Sequence, residues 1–432
     1  MISHFLLFIT QRFVVSVFST VNSAMRFAIF RTVKSISGGL SGFYAMTMTL
    51  VVPQRICTTA RFKLQVGAGK LAMIDRPNGV PILGVGVQLA HYSKDLPSHV
   101  DIVIIGSGIT GTAIAWNLLK HVRPGEKGFK SIVMLEARQA CSGATGRNGG
   151  HTKAASYRSF LEHASSLGTP AAVQIARLEC DNIQAIHAFA KKHNIPCDSN
   201  PSGSISSYAF TTGLLKLCLS RGLDLQVNTP ATSLMKNRDE RTWTVQTPRG
   251  DIWTEDIILA TNGYTAAIAP TFQGVIVPLR GQGSLNEGDL IIGGGLVRAK
   301  EEGLVEYGIT DDTTVNEEIS THIKNTLPRY FGNGGDRNGN WGDDHPDGRV
   351  KKEWTGIMGY TPDGSPMVGA VPGENGFWMS CSFQGHGMVL CWMCAKTLVE
   401  MMEGRDNEEL RGWFPEAFRV GFERTSKRFQ GR

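Results

Sequence analysis

The body of the chain opens on Val100-Asp101-Ile102-Val103-Ile104-Ile105, apolar but for Asp101. Its apolar residues succeed one another instead of alternating, as in a strand buried on both faces. It stops at Gly106-Ser107-Gly108-Ile109-Thr110-Gly111, and the residues after it, to Leu119, read as an amphipathic helix. A second short run, Ser131–Leu135, ends at Glu136 and predicts a second strand. Farther on, Ala171–Asn194 reads as a helix, and Ile257–Ala260 is a buried strand ending in the polar turn Thr261-Asn262-Gly263-Tyr264. Buried strands alternating with helices predict an α/β fold with a parallel sheet.

Composition adds limits. A chain of 432 residues has room for two or three domains. Its 50 glycines exceed the usual ~7% and fall in clusters, which suggests backbone brought close to something. The net charge of +6 is uneven. Residues 1–74 hold eight bases and no acid, while the remainder holds 36 bases against 38 acids. That near-neutral body gives no footprint for nucleic acid. Apolar stretches near the start are broken by Gln11-Arg12 and Arg26, so none reaches the ~18 residues of a membrane span. An acid-free arm rich in Arg, Ser and Phe suits a mitochondrial transit peptide. A start codon read too early, with the real one near Met46 or Met48, fits equally, so 1–75 stands as an N-terminal extension. The eight scattered cysteines suit free thiols in a reducing compartment. The expected location is cytoplasmic, with mitochondrial the alternative.

The Gly106–Gly111 segment carries chemistry because of its context. Gly106 makes the tight turn, Gly108 lets a pyrophosphate approach the backbone, and Gly111 lets the helix pack on the strand. Glu136 stands 25 residues past Gly111, where a carboxylate can bind a ribose, and favours NAD or FAD over NADP. Next comes Cys141-Ser142-Gly143-Ala144-Thr145-Gly146-Arg147-Asn148-Gly149-Gly150-His151, with four glycines in nine residues. Such a loop lies along a flat or charged ligand, and Arg147 and Asn148 add donors for phosphate or ring oxygens. Cys391-Trp392-Met393-Cys394 reads as a helix packing face, and Asp336–Asp347 as a polar loop only partly like a calcium loop. No metal site is expected.

Taken together, GSGITG, Glu136-Ala137-Arg138 and Ser142–His151 resemble the FAD-dependent amine and amino-acid oxidoreductases of the D-amino-acid oxidase, glycine oxidase and sarcosine oxidase family, nearest its gamma-glutamylputrescine oxidase-like fungal members. Further segments fit the resemblance: Leu225–Thr229, with Val227 reading the adenine; Ala260-Thr261-Asn262-Gly263-Tyr264; Val277–Gln282; Trp354-Thr355-Gly356 with Thr361-Pro362-Asp363-Gly364; and Gly376–Met388. The resemblance implies a Rossmann-like FAD-binding domain with a smaller, discontinuous antiparallel-sheet substrate domain. The FAD-binding domain would take 95–275 and 350–405, the substrate domain 276–349, and 406–432 would be a tail. Cofactor contacts are implied for Gly106–Gly111, Glu136–Arg138, Ser142–His151, Val227, Ala260–Gly263, Gly356, Asp363 and Gly385–Met388.

The implied reaction moves hydride from a C–H beside nitrogen to flavin N5, leaving an imine and, with oxygen, hydrogen peroxide. A helix starting at Gly385–Met388 would stabilise charge on the reduced ring, with His386 assisting. Arg280, Lys153 and Arg158 are candidates for holding a polar or acidic group of a small amine or amino-acid substrate. Gly356–Tyr360 holds no cysteine, so FAD is expected to be non-covalent. Relatives that place a lysine after the G-H-G turn differ from this chain, which has Met388 and Val389 and so favours a bulkier amine. Between His151 and Gly213 a long excursion of the family looks largely absent, so the substrate domain is truncated. A dehydrogenase passing electrons to a quinone or flavoprotein, and a flavin-binding pseudoenzyme or splice form, remain the alternatives.

Overall fold

A computed structural model describes residues 95–430, except 202, 239, 287–290 and 332–349. The N-terminal extension and the Asp336–Asp347 loop lie outside the described residues. Strand β1 (His99–Ile105) forms where the sequence places it and pairs in parallel with β2 (Ile132–Leu135) and with β6 (Gly250–Leu259). β3 (Asp224–Gln226) extends the sheet beyond β2. On the other side β11 (Phe377–Cys381) joins β6 in parallel and β10 (Met367–Ala370) closes the edge antiparallel. The order is β10-β11-β6-β1-β2-β3, with β5 (Trp243–Thr247) and β4 (Ser233–Lys236) paired off the early part of β6.

The run of apolar residues in β1 divides by period two. Ile102 and Ile104 enter one core cluster, whereas Val103 and Ile105 enter the other. Both faces of the central strand are therefore dry. The first face is covered by α1 (Ile109–Leu119), α3 (Thr169–Lys192), α4 (Ser207–Leu219) and, from the C-terminal end, Cys391–Met402. Helix α2 (Ser156–Leu167) precedes α3 and buries none of its residues fully. The expected amphipathicity of α1 is corrected here: ten of its eleven residues are buried. It lies between the sheet and two other helices, so it has no wet face.

A second, three-stranded sheet has the order β8-β7-β9, all antiparallel: β7 (Val277–Asn286), β8 (Ile291–Gly293) and β9 (Val350–Tyr360). Residues 350–360 were expected with the second part of the FAD-binding domain. Instead they pair along their length with β7. Helices α5 (Thr265–Ile268), α6 (Glu317–Lys324) and α7 (Thr326–Phe331) lie between β6 and β9 in the chain. The chain then runs through β10 and β11 to α8, the Cys391–Met402 helix.

The segment joining α3 to α4, residues 193–206, is short and folds back on the glycine-rich loop. Ser204 bridges to His151, and Ile205 N–H donates to the Gly150 carbonyl (2.9 Å). Within the 406–432 tail, the described residues 406–430 contribute to the core. It carries α9 (Glu408–Trp413) and α10 (Phe422–Ser426), and Leu410, Phe414 and Phe418 are buried. Among the described residues, no helix is long and apolar enough to cross a membrane, and the seven cysteines are free thiols.

Candidate active site

The C-terminal ends of β1, β2 and β6 meet at one turn. Gly106 N–H donates to the Leu135 carbonyl (2.8 Å), and Ala260 N–H to that of Ile105 (2.9 Å). A side-chain carbon on Gly111 would lie 2.0 Å from the Gly106 carbonyl oxygen, so α1 can rise from the turn only because residue 111 has none. Thr110, in the first turn of α1, lines the cleft, where a first-turn N–H has no acceptor in the helix pattern and can meet an anion. Glu136 caps the end of β2. Its Oε2 accepts from Ser107 Oγ (2.6 Å) and Ser107 N (3.2 Å), and its Oε1 accepts from Arg138 N (3.0 Å).

The glycine-rich loop is more structured than its composition suggests. Ala144–Arg147 forms a 3-10 turn, and Thr145 Oγ1 accepts from Ile109 N (3.0 Å), which seats the loop on the start of α1. Asn148 spends its whole amide inside the chain. It donates to the carbonyls of Ala144 and Thr145 and accepts from Gly150 N and Ser207 Oγ. Arg147 likewise donates to the carbonyls of Ser142, Asp312 and Thr355. The expectation that these two side chains offer their donors to a ligand is corrected: most of those donors build the loop. Gly150, at φ +68°, serves the chain as well, because a side chain there would strike the Ile205 carbonyl at 2.0 Å.

Asp312 was missed by sequence reading. It is buried, takes both Arg138 Nη1 and Nη2 (2.8 and 3.0 Å), lies 3.4 Å from Arg147 Nε, and accepts from Tyr264 Oη (3.4 Å). One carboxylate thus joins Arg138, two residues past Glu136, the glycine-rich loop and the turn after β6. Burial beside this carboxylate pushes the Tyr264 phenol well above its usual range. Nothing in the local sequence marks Asp312, since its three partners come from distant segments.

These pieces line one cleft of about 2600 Å³. Of the expected residues, 106–110, 136–138, 142–145, 147–149, 151, 227, 260–262, 280, 356 and 385–388 line it. Gly111, Gly146, Gly150 and Gly263 do not; Gly111, Gly150 and Gly263 allow close packing behind it. Asp363 is off the cleft. Its carboxylate is clamped by Arg424 Nε and Nη2 (2.7 and 2.9 Å), so it anchors the C-terminal tail. The far end of the cleft is formed by Met358 and Tyr360 of β9 and by the Gln384–Met388 turn. The helix expected at Gly385–Met388 starts later: Gly387–Val389 is a 3-10 turn, and α8 opens at Cys391. Cys391 and Cys394 are buried in the packing face of that helix, as the sequence suggests.

Three basic candidates separate clearly. Arg280 is consumed by buried Glu306, with Nε and Nη2 on its two oxygens (2.6 and 3.1 Å), and by Thr314 Oγ1 (2.8 Å). Its expected catalytic part is corrected to a structural one, since its charge is already neutralised. Lys153 lies outside the cleft and packs across Gly203. Arg158 lines the cleft, and its Nη2 donates to His386 Nε2 (2.9 Å). A guanidinium can only donate, so this imidazole nitrogen is the acceptor and the ring is neutral. Burial and Arg158 both hold the His386 pKa below its ordinary value.

The family model for FAD-dependent oxidoreductases, DAO, matches residues 101–208 and 199–401. The chain belongs to this family. The two matched stretches overlap at 199–208, in the end of the α3–α4 connection and the start of α4. The probable oxidoreductase OrdL of Haemophilus influenzae is 18% identical, over 71% of this chain and 84% of that protein. Human mitochondrial sarcosine dehydrogenase is 22% identical over 76% of this chain, which covers 42% of that protein. Among solved structures, glycine oxidase from Geobacillus kaustophilus superposes with a TM-score of 0.51 at 14% identity, covering 75% of this chain and 100% of the other.

The chain is therefore an oxidoreductase whose cofactor is FAD, and its residues fit that group. The cleft begins at the first turn of α1 and at the Glu136 carboxylate. The buried Ser142 Oγ, on the cleft wall, has no partner within the described protein and is available to a ligand.

Proposed function

We propose that the chain oxidises a small amine or amino acid at the carbon beside nitrogen, and that oxygen is the electron acceptor. FAD, when bound, accepts the hydride at N5 and passes two electrons on to oxygen, giving an imine and hydrogen peroxide. The observation that carries this reading is the continuity of the cleft. It runs from the dinucleotide turn to a chamber between β9 and the Gln384–Met388 turn, so cofactor and a small molecule can lie end to end in one cleft.

The chain's own contributions follow from its geometry. Glu136 and the start of α1 hold the nucleotide half, with 106–110, 142–149, 227 and 260–262 as its contacts. Backbone N–H groups of the 385–388 turn on the cleft wall, other than that of His386, which donates to the Phe383 carbonyl (2.7 Å), would favour the reduced state without a charged side chain. His386 is neutral at the chamber wall, so it adds no fixed cation there. Among the described residues, Cys391 is the sole cysteine on the cleft wall, and burial pushes its thiol up to about 12. A protonated thiol is a poor nucleophile, which supports untethered FAD. The 95–275, 276–349 and 350–405 division stands as a domain proposal, amended by the pairing of 350–360 with β7. The three-stranded second sheet favours one rival reading, a flavin-binding chain without turnover.

The test is an absorption spectrum of the purified chain before and after acid precipitation, followed by anaerobic mixing with a panel of amines and amino acids. A flavin that moves to the supernatant, is bleached by an amine and releases peroxide on re-aeration is expected. Bleaching without peroxide would replace oxygen by a quinone or flavoprotein acceptor. Bound flavin that no amine bleaches would leave the non-catalytic reading.

A further inference from the structure

Resting on the amine-oxidation reading above, we infer that Phe429, in the C-terminal tail, is a positioning residue of the substrate chamber, and that it fixes Tyr360 through the ring of Tyr307. Tyr360 ends β9 and lines the cleft, whereas Tyr307 and Phe429 do not. The three rings form a row. Phe429 stacks on Tyr307, with centroids 5.2 Å apart and planes 23° apart, and Tyr307 meets Tyr360 edge-on at 6.1 Å and 66°. Both are arrangements that aromatic pairs prefer. Strand pairing puts the two tyrosines beside the start of β7. Val277 pairs with Tyr360, and Leu279 bridges to Tyr307. Positions 277 and 279 point the same way along a strand, so both tyrosines stand on one face of the sheet. All three rings are half-buried, so each depends on its neighbours to hold it in place.

The tail also grips the backbone on both sides of the Val277–Tyr360 pair. Before it, Phe429 N–H donates to the carbonyl of Gly274 (2.6 Å), in the turn that leads into β7. After it, Arg424 holds the Asp363 carboxylate by Nε and Nη2 (2.7 and 2.9 Å), and its Nη1 donates to the Pro366 carbonyl (2.9 Å). Tyr307 is itself tied to β7, because the N–H of Gly308 donates to the Pro278 carbonyl (2.8 Å). The freedom left to Tyr307 is therefore rotation of its ring, about a torsion that is intrinsically broad. The flat face of Phe429 removes that freedom, and Tyr360 then rests against a fixed edge. Phe422, in the same tail, is 73% exposed and lies outside the row, which makes it an internal control.

The experiment compares the full-length holoenzyme with its Phe429→Ala, Phe429→Tyr, Tyr307→Leu and Phe422→Ala variants, and with Phe429→Ala and Tyr307→Leu combined. FAD content is read first from the visible spectrum. KM and kcat are then measured with the amine of the panel that bleaches the flavin fastest. Phe429→Ala is expected to keep its FAD and to raise KM about 10-fold with kcat nearly unchanged, the weight of one aromatic pair. Phe429→Tyr should restore the wild-type KM, and Phe422→Ala should leave it unchanged. With Tyr307→Leu already in place, Phe429→Ala should add nothing, because the ring that transmits its effect is gone. An unchanged KM in Phe429→Ala overturns the inference. So does an equal effect of Phe429→Ala in both backgrounds, or a loss of FAD, which would assign the tail to cofactor retention. If no amine bleaches the flavin, the turnover reading falls, and the same variants are compared by acrylamide quenching of flavin fluorescence. Steeper quenching in Phe429→Ala that Phe429→Tyr reverses keeps the tail's part in setting the chamber wall, and equal slopes overturn it.

Discussion

At the residue scale, the cleft is organised less by its glycines than by one acid. Gly106 and Gly108 lie in a motif that can be read directly, because the geometry of a βαβ phosphate turn demands them within a few residues of one another. Asp312 is not legible in that way. Its two guanidiniums and one phenol come from residues 138, 147 and 264, and only folding brings them together. Replacing it should be costly, because two arginines lose a buried partner. Asp312→Asn is expected to destabilise the holoenzyme by about 3 kcal/mol and to weaken FAD retention. Denaturant titration followed by flavin fluorescence checks both, and a variant with wild-type midpoint and flavin content would reduce Asp312 to a surface contact. Arg280 makes the complementary point. The sequence marks it as a free cation near a crossing strand, and the structure shows its charge already matched by Glu306.

At the element scale, strand character was legible where apolar runs are continuous, as in β1, β2 and β6. Helix boundaries were less so. The family resemblance implies a helix starting at 385–388. The chain instead makes a 3-10 turn and delays α8 to Cys391. The tail was the larger surprise. Residues 406–432 look like a charged appendage, yet Arg424 locks onto Asp363 and onto the carbonyls of Ser365 and Pro366, and Phe414 is fully buried. Phe414→Ala is expected to cost about 3–5 kcal/mol. A disposable tail would tolerate it with no change in the thermal midpoint. Farther along, Phe429 stacks on Tyr307, whose ring edge meets Tyr360 of the chamber wall, so the tail also buttresses the site.

At the scale of the whole molecule, burial of imidazoles sets a pH dependence. His151, His187, His193, His322 and His386 are all held below the ordinary value of 6.5, chiefly by burial. The unfolded chain therefore takes up protons before the native one does. Stability is fully present above 6.5 and is lost as pH falls through the lower native values. A second loss begins further down, where Asp101, Asp363 and Asp406, held below 3.8 by hydrogen bonds and neighbouring cations, must be protonated. Differential scanning calorimetry should show the midpoint falling between about pH 7 and pH 5. A flat profile across that window would mean that the imidazoles are not carried neutral in the native state.

The sequence by itself determined the dinucleotide turn, the strand beneath it, the acid at the end of the second strand and hence the cofactor class. Those features are local: a tight turn, a close backbone approach and a continuous apolar run each need particular residues at fixed spacing. The tertiary structure alone decided which charges remain available. Of the four arginines on the cleft, Arg138 and Arg147 share the one carboxylate of Asp312 and Arg280 pairs with Glu306, pairings that no local sequence pattern marks. Arg158 is left facing the chamber. The same holds for β9, which the motif order assigns to one sheet and hydrogen bonding along β7 assigns to the other.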